Sequence, residues 1–165
     1  MARPCVLVLL ALSLVAACAT TGTPPQSQLQ IREFQTRSYE TTDTKMVMKA
    51  VLNTLQDEGY IVKNAVPDLG LLTATKEVDV EDKTTAVLLS VLSKGKATWP
   101  KNSIIEATAN VSEFGTQTRV RLNFQVKTYD NKGAVREVKQ VEDGKFYQDF
   151  FSKVDKGIFI QKENL

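Results

Sequence analysis

The chain has 165 residues, with 21 basic and 19 acidic side chains and a formal net charge of +2. That length suits one ordinary domain with its own core, and the nearly balanced charge gives no electrostatic argument for nucleic acid. Histidine is absent, which excludes Ser-His-Asp and Cys-His catalysis, histidine-ligated metals and the commonest general base.

The chain opens on Met1-Ala2-Arg3-Pro4, which carries one positive charge, and continues into an apolar run from Cys5 to Leu14. Small residues follow at Ala16 and Ala17, ahead of Cys18. A basic start, an apolar centre and a small-residue exit make the pattern of a secretory signal peptide over residues 1–17. The apolar run from Val6 to Ala17, about 12 residues, is short of the ~20 that a membrane-spanning helix needs. Val15-Ala16-Ala17-Cys18 resembles the lipobox of bacterial lipoproteins. The resemblance implies that the Cys18 thiol takes a diacylglyceryl group and that cleavage falls between Ala17 and Cys18. It also implies at least two acyl chains, enough for a stable membrane anchor where one would be marginal. Ala19 stands where an Asp would favour the inner membrane, so the resemblance points to the outer membrane, on its periplasmic face. With Cys5 in the leader and Cys18 carrying lipid, the mature domain has no disulfide, and packing alone must stabilise it.

Residues 18–30 read as the lipidated cysteine and a flexible tether, rich in Thr, Gly, Pro, Gln and Ser. The folded domain is expected over 31–165. Its first element reads as a strand from Gln30 to Glu40, on the β-prone Ile31, Phe34 and Tyr39. A helix follows over about Thr44 to Glu58, capped by Thr42 or Asp43 and closed by Gly59. Val47, Met48, Ala50, Val51, Leu52 and Leu55 form its apolar stripe. Tyr60-Ile61-Val62 reads as a short buried strand. Pro67-Asp68-Leu69-Gly70 is a turn, and Leu71 to Val78 is the return strand.

Strands are expected again at Ser103–Glu113 and Thr118–Thr128. In the second, Val120, Leu122, Phe124 and Val126 alternate with Arg119, Arg121, Asn123, Gln125 and Lys127, the pattern of a half-buried antiparallel strand. A further strand at Ala134–Glu142 precedes an amphipathic helix from about Lys145 to Gln161. That helix carries Phe146, Tyr147, Phe150, Phe151, Val154 and Ile158 on one side. The order predicts a single α+β domain, a mostly antiparallel sheet with two main helices packed on one face.

The segment from Asp82 to Lys101 does not fit this scheme. Ala86 to Leu92 reads as a short inserted helix, followed by a basic tail with Lys94, Lys96, Lys101 and the single Trp99. Three readings stay open: a helix folded against the domain's own sheet edge, a partner-docking helix, or a membrane-surface contact. For the last two, Leu88, Leu89, Leu92 and Trp99 are the contact residues. The acidic group Glu77, Asp79, Glu81 and Asp82 lacks the alternating oxygen ligands and turn glycine of a calcium loop, so no metal or other cofactor is expected.

Four stretches together resemble a family of proteobacterial lipoproteins: Arg32 to Arg37, Leu55 to Tyr60, Leu69 to Ala74, and Tyr147 to Phe151. More loosely, the order of helix, Gly59-Tyr60, strand, Asp68-Leu69-Gly70 and strand is similar to domains of the C lipoprotein of the β-barrel assembly machinery, with one domain in place of two. These resemblances imply a helix-on-sheet fold in the bacterial envelope. The expectation is a non-enzymatic lipoprotein that binds another envelope protein. The alternative is a module that holds lipid or peptidoglycan fragments.

Overall fold

A computed structural model describes residues 27–78, 103–130 and 132–163. Within them, three helices and a six-stranded antiparallel sheet form one α+β domain. The elements are α1 (Gln28–Phe34), β1 (Thr36–Tyr39), α2 (Thr44–Asp57), β2 (Ile61–Val66), β3 (Leu71–Glu77), β4 (Ser103–Phe114), β5 (Gln117–Tyr129), β6 (Val135–Gln140) and α3 (Gly144–Lys162).

The first element departs from the expected strand over Gln30–Glu40. Ile31 and Phe34 are three residues apart, which is helical spacing, and a reciprocal capping box fixes the helix start. Ser27 Oγ accepts from the Gln30 N–H at 3.3 Å, while Gln30 Oε1 accepts from the Ser27 N–H at 2.8 Å. Gln28 to Gln30, assigned to the tether from composition, are therefore helical. Strand pairing begins only at Thr36.

Asp43, not Thr42, caps α2 by accepting from the Met46 N–H at 2.9 Å. The helix ends in a Schellman arrangement, with Tyr60 N–H on Leu55 O and Gly59 N–H on Gln56 O, both at 2.9 Å. Gly59 supplies the left-handed residue there, at φ 81°. The strand expected to be buried after it is an edge strand instead. Tyr60 is buried, but Ile61 is exposed, and among the described residues β2 pairs only with β3.

Strand order is β1-β5-β4-β3-β2, and β6 also pairs with β5. Two strands thus share one edge of β5. β1 pairs with Thr118 to Arg121, and β6 pairs with Gln125 to Tyr129. The long β4–β5 hairpin is the spine, with its pairing running from Ser103↔Thr128 to Phe114↔Gln117.

Alternation along these strands separates two faces. Leu72 and Ala74 on β3, Ile105, Ala107, Ala109 and Val111 on β4, and Val120, Leu122, Phe124 and Val126 on β5 are buried under α2 and α3. Phe124 is the hub of this core, with its ring centroid 4.9 to 5.8 Å from those of Phe146, Phe150, Tyr147 and Tyr60. The two helices lie close together where Gly157 faces Ala50. Lys153 and Glu58 tie them at 2.5 Å, and Arg37 on β1 reaches Asp155 on α3 at 3.1 Å.

Val78 N–H donates to Ser103 O at 2.9 Å, so the chain leaves and re-enters the sheet at neighbouring points. The expected inserted helix falls between them, outside the described residues.

Candidate functional site

Of the residues singled out from sequence, only Glu77 falls on the described fold. Ala17, Cys18, Leu88, Leu89, Leu92 and Trp99 all lie outside the described residues, as do Asp79, Glu81 and Asp82. Glu77 closes β3. No helix among the described residues is long and apolar enough to cross a membrane.

What the structure offers is the sheet face opposite the helices. No described helix covers it. Pairing register aligns its side chains in rows across neighbouring strands: Thr73–Thr108–Asn123, Thr75–Glu106–Gln125, and Leu71–Asn110–Arg121–Thr36. Most of these are hydrogen-bonding groups, which suits a wetted or polar contact and not a core.

The two ends of the face differ in charge. At the end nearer Ser103, Glu106 is held by Lys127 at 2.5 Å and by the Gln125 amide. The Lys127 contact holds the Glu106 carboxyl below its ordinary range, and the same contact raises Lys127. This is a self-satisfied cluster.

At the β4–β5 turn end, Arg32, Arg119 and Arg121 line a cavity of about 210 Å³ together with Thr36, Asn110 and Ser112. None of the three arginines forms an ion pair among the described residues. Thr36 donates its hydroxyl to Arg32 O at 2.8 Å, which locks the last turn of α1 against β1 and brings Arg32 to the rim. The Arg119 guanidinium lies over the Phe114 ring, 3.5 Å from its centroid, in a close cation–π contact.

On the opposite, buried side of β5, the tyrosines are structural. Burial, opposed by hydrogen bonds from the Phe124 N–H and the Gln35 amide, raises the Tyr147 hydroxyl above its usual range. Burial likewise raises Tyr60, reinforced by the Glu58 charge. Both stay neutral donors or acceptors and supply no acid or base near neutral pH.

In the sequence, Arg119 and Arg121 read only as the polar half of a half-buried strand. The available signal was the Arg-x-Arg spacing, which puts both guanidiniums on one face of one strand. No protein-family model matches the chain, and no curated protein matches it.

Proposed function

We propose that the chain is a lipid-anchored bacterial envelope lipoprotein, moored through acyl chains on Cys18, which binds another envelope protein without catalysing a reaction. The observation that carries this reading is the sheet whose inner face is sealed by α2 and α3 and whose outer face, covered by no helix among the described residues, is lined by ordered hydrogen-bonding rows. A domain held near a membrane by a tether gains effective concentration toward neighbours at the same surface, which lets a modest interface suffice. The Val15-Ala16-Ala17-Cys18 pattern supports the anchor, and Ala19 supports the outer membrane, periplasmic face.

A photo-crosslinking residue placed in turn at Thr75, Thr108 and Asn123 on the open face, and at Lys49 and Lys156 on the helical layer, tests the partner in intact cells. Discrete adducts from the sheet positions are expected. Adducts from the helical positions alone would refute the assignment of the face. Material with Cys18→Ser should lose acyl mass and leave the membrane fraction; equal retention in that fraction would refute the anchor.

The alternative module, for lipid or peptidoglycan fragments, draws on one specific feature, the arginine-lined cavity at the turn end of the same face.

A further inference from the structure

We propose that the cavity lined by Arg32, Arg119 and Arg121 is a binding site for a phosphate group, carried by a lipid headgroup or by a small soluble phosphate ester.

Some cations of the domain sit beside carboxylates, as Arg37 does beside Asp155 and Lys127 beside Glu106, while others, Lys45, Lys49 and Lys63 among them, stand singly on the surface. The three arginines at the cavity have no such partner among the described residues, although they converge from two elements, α1 and β5. Arg119 and Arg121 stand two residues apart on one face of β5, so their Cα atoms are roughly 7 Å apart. Gathering like charges this closely opposes folding, and a bound anion reverses the sign of that interaction.

Geometry favours an oxyanion in particular. Register brings Asn110 beside Arg121, and Ser112 beside Arg119, so an amide and a hydroxyl flank the guanidiniums. The cation–π contact with Phe114 anchors the Arg119 guanidinium at the cavity without taking up an acceptor for its N–H groups. A planar fork of donors matches carboxylate and phosphate oxygens alike. Three positive charges around one cavity match the two negative charges of a phosphate monoester better than the single charge of a carboxylate. The volume, about 210 Å³, is below the ~300 Å³ at which drug-sized pockets begin, so it suits a headgroup and not a large ligand.

Placement bears on the source of the phosphate. Arg32 lies five residues beyond Ser27, where the described chain begins, and these residues are nearly all helical, a rise of roughly 8 Å. If Cys18 is acylated, the cavity sits close to the end of the tether and hence within reach of headgroups. The membrane source rests on that anchor. Phosphate binding itself does not.

The test uses the full chain in an uncharged, phosphate-free detergent, titrated calorimetrically at low salt with inorganic phosphate, glycerol 3-phosphate and dihexanoyl phosphatidic acid. Saturable binding is expected, weakening as salt rises. Arg121→Gln and Arg32→Gln should each weaken it tenfold or more, while Lys127→Gln, on the same face but away from the cavity, should leave it unchanged. Arg119→Gln also removes the Phe114 stack, so the other two variants carry the test if that one unfolds. Equal binding of all three probes identifies a soluble phosphate ester as sufficient, and binding of the lipid alone identifies a headgroup; either supports the site. Absence of saturable binding to wild type, or binding unchanged in Arg121→Gln, overturns it. Because the titration takes place in detergent solution, a failed membrane anchor or a missing protein partner would leave its outcome unaltered.

Discussion

Gln35 and Tyr147, 112 positions apart in the chain, meet where the edge of β5 passes from β1 to β6. Neither strand covers the gap between Arg121 and Gln125. There, Leu122 N–H donates to Gln35 O at 2.9 Å and Val141 N–H donates to Phe124 O at 2.8 Å. Phe124 N–H donates to the Tyr147 hydroxyl at 3.1 Å, and that hydroxyl donates in turn to Val141 O at 3.2 Å. A side chain from α3 thus completes the ladder, and the Gln35 amide, also at 3.1 Å, holds the hydroxyl in place. The helical layer and the sheet edge are fastened at one buried polar atom.

Removing that oxygen should be costly. Tyr147→Phe keeps the ring against Phe34 and Phe124 but leaves the Phe124 N–H and the Gln35 amide buried without partners. Each unsatisfied buried group costs about 1–3 kcal/mol, so a loss of about 2–4 kcal/mol is expected in urea unfolding. The double variant Gln35→Leu with Tyr147→Phe should lose less than the sum of the two single changes, since each removes part of the same network.

Gly70 is the position where the backbone leaves least room. It sits at φ 62° after the turn Pro67–Leu69, and an added Cβ would fall 1.8 Å from the Val111 carbonyl oxygen. The same stretch is bonded to β4, with Val111 N–H on Gly70 O at 2.8 Å. Gly70→Ala meets both a left-handed backbone and a backbone clash, so a loss of about 3 kcal/mol or more is expected. Thermal unfolding should show a drop on the order of 10 °C. Gly133, also at positive φ but with open space around it, should tolerate alanine with a smaller loss, about 1 kcal/mol.

The sequence patterns that survived were those in which one residue type answers one local question. Alternation along β5 marks its buried side because Val120, Leu122, Phe124 and Val126 have nowhere else to go. Asp43 and Gly59 bracket α2 because a cap needs an acceptor and a Schellman close needs a left-handed residue. Where two periods compete, local pattern does not decide the element. Ile31 and Phe34 favour a strand by composition and a helix by spacing, and the capping box at Ser27 and Gln30 decides it. Register is not a local property. No pattern within β5 says that Asn110, Ser112 and Arg32 come to stand beside Arg119 and Arg121, so the cavity was out of reach of the sequence.

The Glu106–Lys127 pair should shape the pH dependence of stability. Glu106 is held below its ordinary value of 4.5, so the unfolded chain binds the proton more readily. Its contribution is present above that value and is lost as pH falls through the lower, folded value. Lys127 is raised above 10.5, so its contribution is present below that value and is lost as pH climbs through the higher, folded one. Both side chains are about a quarter exposed, which limits the pair to about 1 kcal/mol. Chemical denaturation from pH 3 to pH 7 should therefore show a shallower acid limb for Glu106→Gln than for the parent. An unchanged limb would mean that the contact is fully screened.

The arginine pair on β5 makes the opposite prediction about charge. The Arg119 and Arg121 Cα atoms are roughly 7 Å apart, and two like unit charges at about that spacing repel by about 0.6 kcal/mol at the dielectric of water. Arg121→Gln keeps a hydrogen-bonding side chain beside Asn110 and removes that repulsion. Its melting temperature should rise by roughly 1–3 °C at low ionic strength, and the gain should fade near 0.5 M salt as screening closes the gap. Most substitutions on a folded surface are neutral or harmful, so a salt-sensitive gain here would show that Arg121 is retained at the expense of stability. A melting temperature that falls instead, at every ionic strength, would mean that the guanidinium stabilises the face through its packing and not that it opposes folding.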